Sequence, residues 1–340
     1  MSTPRVTIGM PVYNSRPAPF EAAFTALLAQ DYGDFEIVIS DNGSSPEAAA
    51  LYEAAAARDP RVRLVRHGVN YGAGFNFNHL ASSARGELFM WAADDDVRAP
   101  SYLRQTVALL DAHPEAVSAG SRVRLVDANG NRVGGVDFPA RFTRRHSWER
   151  IRVSAVLNPS DYMDVYALHR RDALLRTHLS QPIHGSDCLI VMEMLLQGSI
   201  VHADEELFSY NVPTSYTMES LSLTMLGSQA KTLFFRHGVQ YLALQMLVSA
   251  ATMRLELSSA ERARCVAELA ASLIWNGWLT DEPSVELQTL AAARAHDREL
   301  WQSAGLVVRS FIAAPPSLLK PSHWRRLAAI FRHYQPPLNG

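Results

Sequence analysis

From Arg5 to Trp91 the chain alternates short β-rich runs with stretches of helical period, and turn formers close each β-rich run. Arg5 to Asn14 reads as a first strand, followed by Phe20, Phe24, Leu27 and Leu28 at helical spacing as far as about Gln30. Phe35 to Ser40 is a second strand broken by Asp41-Asn42-Gly43-Ser44-Ser45, and a helix over 47–58 leads to a third strand, Val62 to Arg66. Parallel strands need crossover connections, and helices of this length supply them. The spacing therefore predicts an α/β fold with a doubly wound, mostly parallel sheet, whose ligands bind at the carboxyl ends of the strands.

One of those ends is unusual. The apolar run Leu88-Phe89-Met90-Trp91 stops at Ala92-Ala93 and then at three consecutive carboxylates, Asp94, Asp95 and Asp96. A continuous apolar run reads as a strand buried on both faces, which puts the acids at the rim of the sheet. Adjacent negative charges repel, and hard oxygen ligands suit Mg²⁺ or Mn²⁺ rather than zinc. A solvated acidic turn ahead of the helix that starts near Ser101 is the plainer reading of the same residues.

The rest of the first two thirds continues the α/β pattern. Asn70 to Asn78 is a loop of glycine and asparagine that opens a helix running to about Ala84. Gly72 and Gly74 lack the third glycine of a dinucleotide fingerprint and follow the third strand instead of the first. A helix over 101–112 should turn Leu103, Val107 and Leu110 inward, and Val117 to Val133 looks like a hairpin turning at Asp127 to Gly130. Ser147 should cap a helix over 147–157 with Arg150 and Arg152 outward, and Val165 to Arg170 reads as a strand that leads into 172–177. His184-Gly185-Ser186-Asp187 precedes an apolar helix over 188–196, where Asp187 could serve as a first-turn acid. From about 217 onward only helical periodicity is visible, over 221–257, 259–279 and 285–301, so a boundary near 216 separates residues 1–216 from an α-helical region at 217–340.

Composition narrows the function classes. A net charge of -2 argues against a general nucleic-acid binder, and two distant cysteines, Cys188 and Cys265, make neither a zinc knuckle nor a disulfide framework. A reducing, cytoplasmic setting follows. Met1 to Arg5 has no secretory pattern, and Val239 to Met253 is too short and polar for a span.

Five pieces then fall in an order that resembles the family-2 glycosyltransferases of the GT-A fold. Ile8 to Asn14 looks like the family's opening strand and turn. Glu36 to Ser44 looks like its second strand and donor-nucleotide loop. Asn70, Gly72 and Asn78 are similar to its asparagine and glycine loop. Ala84-x-Gly86-Glu87 leading to Asp94-Asp95-Asp96 resembles its acidic metal motif. Gly185-Ser186-Asp187 with Gly198 looks like its catalytic-base segment.

The resemblance implies a nucleotide-diphosphate sugar donor, UDP- or dTDP-linked, and Mn²⁺ or Mg²⁺ as cofactor. By that likeness Asp95 and Asp96 hold the metal, Asp94 supports the ion or the ribose, Asp41 accepts from the base, and Pro11, Tyr13 and Asn14 line the same pocket. Asn70, Gly72 and Asn78 belong to the donor loop, and Asp187 is the general base of an inverting transfer to a glycan, a lipid-linked sugar or a protein side chain.

Two positions depart from the pattern. Ala93 stands where many relatives carry an acid, and Pro213 stands where many carry a metal-contacting histidine, a place that Tyr216 or His184 would have to fill. A degenerate GT-A fold that binds a sugar nucleotide or a partner without turnover stays open beside the enzyme reading. A nucleotidyltransferase would need a basic phosphate loop that Pro11 to Pro19 does not supply.

The carboxyl-terminal end is basic. Ser322 can cap a helix that gathers Trp324, Leu327, Ala328 and Phe331 on one face, with Arg325 and Arg332 away from it. Such a helix suits either a peripheral seat on anionic lipid at the inner face of the membrane or ordinary packing on the protein's own core.

Overall fold

The computed structural model describes residues 3–137, 143–153, 161–181, 185–212 and 238–275. Four strands open the chain, β1 (Val6–Val12), β2 (Phe35–Asp41), β3 (Val62–Arg66) and β4 (Leu88–Trp91), linked by α1 (Pro17–Leu28), α2 (Pro46–Ala56) and α3 (Ala73–Ser83). All their pairings are parallel: β1 lies between β2 and β4, and β3 flanks β2. Every residue of β2 and β4 is buried, as strands covered on both faces must be. Full burial of each large apolar side chain here contributes roughly 1.5–3 kcal/mol, and Trp91 also places its one donor, on Phe77 O at 3.0 Å.

The sheet then turns mixed. Beyond β4 follow β5 (Val97–Arg98), α4 (Tyr102–Ala112), β6 (Ala116–Val126), β7 (Arg132–Val136), β8 (Leu168–Arg170), α6 (Arg171–Leu175) and β9 (Ser199–Asn211), with α5 (Ser147–Val153) and α7 (Ser186–Gln197) between them in sequence. The strand order is β3-β2-β1-β4-β8-β6-β9-β5, with β7 paired to β6. The order reverses between β1 and β4: the chain moves outward from β1 through β2 to β3, then returns to the other side of β1. That reversal is the switch point at which open α/β sheets hold ligands. As expected, Leu103, Val107 and Leu110 of α4 are buried.

The chain separates into two compact units that are not consecutive in sequence. The sheet with α1–α4 and α6 forms one; α5, α7, α8 (Gly238–Thr252) and α9 (Ser259–Trp275) form the other. The boundary expected near 216, the first part (221–237) of the helix expected over 221–257, the helix expected over 285–301, and the basic segment at 322–332 lie outside the described residues. No described helix is long and apolar enough to cross a membrane.

Four local expectations are corrected. Arg150 is buried, not outward: its guanidinium donates to Leu195 O (2.7 Å), Arg144 O (2.8 Å) and Arg145 O (2.9 Å). Ser147 does not act as a cap of the expected kind, because its hydroxyl donates to Leu196 O at 2.8 Å. Carbonyls at the end of α7 lack partners within their own helix, and these two side chains supply them. Residues 161–166 form a 3₁₀ turn, so the strand expected from Val165 begins at Leu168. The helix expected to reach Leu257 ends at Thr252.

Candidate functional site

The carboxyl ends of β1, β2 and β4 bring three sequence-distant loops together. After β1, Asn14 takes a positive φ of 48° and ties itself to the loop after β2: its N–H donates to Ser44 Oγ (2.9 Å), and its Oδ1 accepts from Ser45 N (2.9 Å). Asparagine tolerates that backbone region better than most residues. Pro11 is half-buried within β1, opposite Ser40, while Tyr13 is 47% exposed at its tip.

Asp41 ends β2 fully buried. Oδ1 accepts from Ser44 N at 2.9 Å; Oδ2 lies 3.4 Å from Arg66 Nε as an ion pair but accepts no hydrogen bond. Asn42, beside it, fixes the loop after β3, with Nδ2 donating to Asn70 Oδ1 (2.9 Å) and Gly72 O (3.0 Å) while Oδ1 accepts from Tyr71 N (3.1 Å). Asn70 Oδ1 also accepts from Gly72 N at 2.8 Å. Gly43 permits this approach: at φ 77°, a Cβ there would lie 2.5 Å from the Val69 backbone. Asn70 and Gly72 are thus fastened to Asn42, next to Asp41 in the chain. Asn78 is employed elsewhere, since both ends of its amide bond the backbone of Ser180 at 2.8 Å.

The acids follow β4. Asp94 Oδ2 accepts from Ser15 Oγ, and Ser15 is held in turn by buried Tyr52, whose hydroxyl donates to Ser15 Oγ (2.8 Å) and accepts from Ser15 N (2.9 Å). Ser15 and Asp94 therefore join the two sides of the switch point between β1 and β4. Asp95 Oδ2 accepts from Asn211 Nδ2 at 3.3 Å and Asp96 Oδ1 from Asn211 N at 2.9 Å, so the end of β9 closes over the cluster.

Electrostatics single the cluster out. Burial pushes Asp94 up to about 6 and Asp96 up to about 7, and raises Asp95 as well; neighbouring carboxylates add to the rise at Asp94 and Asp96. The cations in electrostatic reach are exposed Arg16 and buried Arg98, and Arg98 lies over the Phe208 ring at 3.4 Å instead of bonding Asp96. Asp96 Oδ2 is buried without a donor.

Among the described residues no group of three His, Cys, Asp or Glu side chains forms a metal cage by itself. The donor set nevertheless fits a hard cation: oxygens only, short of positive charge, with an unsatisfied buried acceptor. Ser15, Arg16, Tyr52 and Arg98 were not legible as site residues. Tyr52 reads in sequence as one more buried position on the face of Ala49 and Ala55.

Asp187 stands in the first turn of α7, in the helical unit, with Oδ1 accepting from Cys188 N at 2.9 Å. His184, Pro213 and Tyr216 lie outside the described residues.

Residues 7–176 match the family described as glycosyl transferase family 2. The chain belongs to that family. The uncharacterized protein y4gI of Sinorhizobium fredii is 30% identical over 148 residues, which is 43% of this chain and 16% of that protein, so the match spans about a sixth of its length. Two solved glycosyltransferase structures share the fold over 97% of this chain. S. aureus TarS 1-349 in complex with UDP-GlcNAc has a TM-score of 0.61 at 18% identity, with 89% of its chain covered. The mannosyltransferase PcManGT of Pyrobaculum calidifontis, in complex with GDP-Man and Mn²⁺, has 0.52 at 19%, with 86% covered. The mixed α/β sheet described above is thus the GT-A sheet expected from the sequence.

Proposed function

We propose that this family-2 glycosyltransferase moves a sugar from a nucleoside-diphosphate donor to an acceptor hydroxyl with inversion, assisted by Mn²⁺ or Mg²⁺. The observation that carries this reading is the pair of carboxylate sites at the ends of β2 and β4, the two strands that flank β1. Asp41 has a buried oxygen without a hydrogen-bond donor, and Asp94, Asp95 and Asp96 gather negative charge across the switch point. Of the two Asp41 oxygens one, Oδ2, is left without a donor, which suits the single imide N–H of uracil or thymine better than the paired donors of guanine. The donor is accordingly UDP- or dTDP-linked, with Tyr13 and the backbone from Pro11 to Asn14 beside the base and the loop of Asn70 and Gly72 as its wall.

Asp95 and Asp96 would hold the cation, with Asp94 kept in place by Ser15. A cation held there would neutralise charge that builds on the diphosphate as it leaves. Asp187 takes the proton from the acceptor hydroxyl while that oxygen bonds to the anomeric carbon and the carbon–diphosphate bond breaks on the opposite side. The acceptor is a glycan, a lipid-linked sugar or a protein side chain. The basic end at 315–340 is proposed as a peripheral membrane contact. Co-sedimentation with anionic vesicles should need those residues, and equal, negligible binding with and without them removes the contact.

Release of nucleoside diphosphate across a panel of donors tests the reaction. Asp187→Asn can still cap a helix but cannot accept a proton, so turnover should fall by two to four orders of magnitude, as loss of a general base typically costs, with an unchanged melting point. Near-normal turnover with a lowered melting point would reduce Asp187 to a cap.

A further inference from the structure

Asn211 ends β9 and meets the acid cluster twice, through its backbone N–H on Asp96 Oδ1 and its Nδ2 on Asp95 Oδ2. Its own carbonyl, Oδ1, is buried without a donor, and so is Asp96 Oδ2. Leaving a buried acceptor unsatisfied costs about 1–3 kcal/mol, and here two such acceptors stand among three adjacent carboxylates. A hydrogen-bond donor would satisfy an acceptor without offsetting the carboxylate charge, whereas a cation does both. The nearest buried guanidinium does not do so, because Arg98 is turned to the Phe208 ring and to Tyr166 O at 3.4 Å.

We propose that Asn211 Oδ1 is a ligand of the cation site, delivered by β9 beside Asp95 and Asp96. Nδ2 now lies 3.3 Å from Asp95 Oδ2. The terminal amide torsion is soft, and half a turn exchanges Nδ2 for Oδ1. Two oxygens at that separation repel unless a cation lies between them. Neighbouring oxygens in an octahedral shell of about 2.1 Å radius are about 3 Å apart, so the spacing suits adjacent ligands. The amide can thus donate to Asp95 in one orientation and coordinate a cation in the other. It also accounts for a cluster whose carboxylates form no cage alone and for a chain with proline at 213.

The inference rests on the metal-assisted reading, and the test separates the two. Mn²⁺ is titrated into the full chain with UDP and followed by calorimetry and by its electron paramagnetic resonance signal. Asn211→Ala should weaken Mn²⁺ about 10- to 100-fold, the scale on which even outer partners of metal sites act. Asn211→His should show, in pulsed resonance, nitrogen coupling from an imidazole on the ion, which a residue that merely steadies Asp95 would not produce. Unchanged Mn²⁺ affinity in Asn211→Ala overturns the inference. So does a histidine variant that binds Mn²⁺ without nitrogen coupling, which decides the matter if the alanine variant fails to fold. Asp95→Asn is the control: if it too leaves Mn²⁺ binding intact, the acid cluster is not the metal site and the wider reading fails.

Discussion

Asp41 and the Asp94–Asp96 cluster are buried carboxylates at the ends of strands on either side of β1, yet the protein treats them differently. Asp41 has a backbone N–H on one oxygen and Arg66 3.4 Å from the other. The cluster has hydroxyl and amide donors, and its buried neighbour Arg98 faces elsewhere. A balanced carboxylate can receive a neutral donor group such as a nucleobase imide, while an unbalanced cluster holds a place for positive charge. The largest expected effect tests this contrast. Asp95→Asn should lower turnover by orders of magnitude with the fold retained, and excess EDTA should do the same to the unaltered chain. Full activity in EDTA would erase the contrast.

The two sites also differ in how far they could be read from the chain. The acids stand out because a four-residue apolar run points to the sheet rim, and Asp41 because turn formers follow it at once. Their partners are invisible locally. Tyr52 reaches Ser15 across 37 positions, and Asn211 reaches Asp96 across 115. Strand β9 was not legible as a strand, since Asp204-Glu205-Glu206 interrupts its apolar pattern; long parallel pairing with β6 makes it one. Arg150 misleads for a related reason, because one of the carbonyls it bonds, Leu195 O, belongs to a helix 45 residues away.

A smaller effect should come from the balanced side. Asp41→Asn keeps an acceptor for Ser44 N and puts an amide N–H where Oδ2 now is, so an imide N–H would meet a donor. Hydrogen bonds to charged groups contribute roughly 1.5–3 kcal/mol, which puts the loss of UDP affinity at about ten- to a hundredfold. Hydrolysis of bound donor should persist. Unchanged affinity by calorimetry would take Asp41 out of the donor pocket, and the comparison would then have one site instead of two.

The smallest effect is on stability, and its sign follows from the cluster's lack of a cation. Asp94 is raised to about 6 and Asp96 to about 7, chiefly by burial, from an ordinary value near 4. Between those limits the folded chain holds protons that the unfolded chain has released. Stability therefore falls as pH rises from about 4 to about 7 and stays lower above. The loss from Asp96 should be on the order of 1–3 kcal/mol, read as about 2–4 °C of melting temperature for each kcal/mol. Asp96→Asn, which still offers an acceptor to Asn211 N, should flatten the decline between pH 5 and 8 when melting is followed in EDTA. Mn²⁺ prefers the ionised cluster, so its binding should strengthen over the same range and restore the midpoint of the unaltered chain at pH 8. Parallel curves for the two proteins in EDTA would mean that Asp96 is already balanced from within the chain, as Asp41 is.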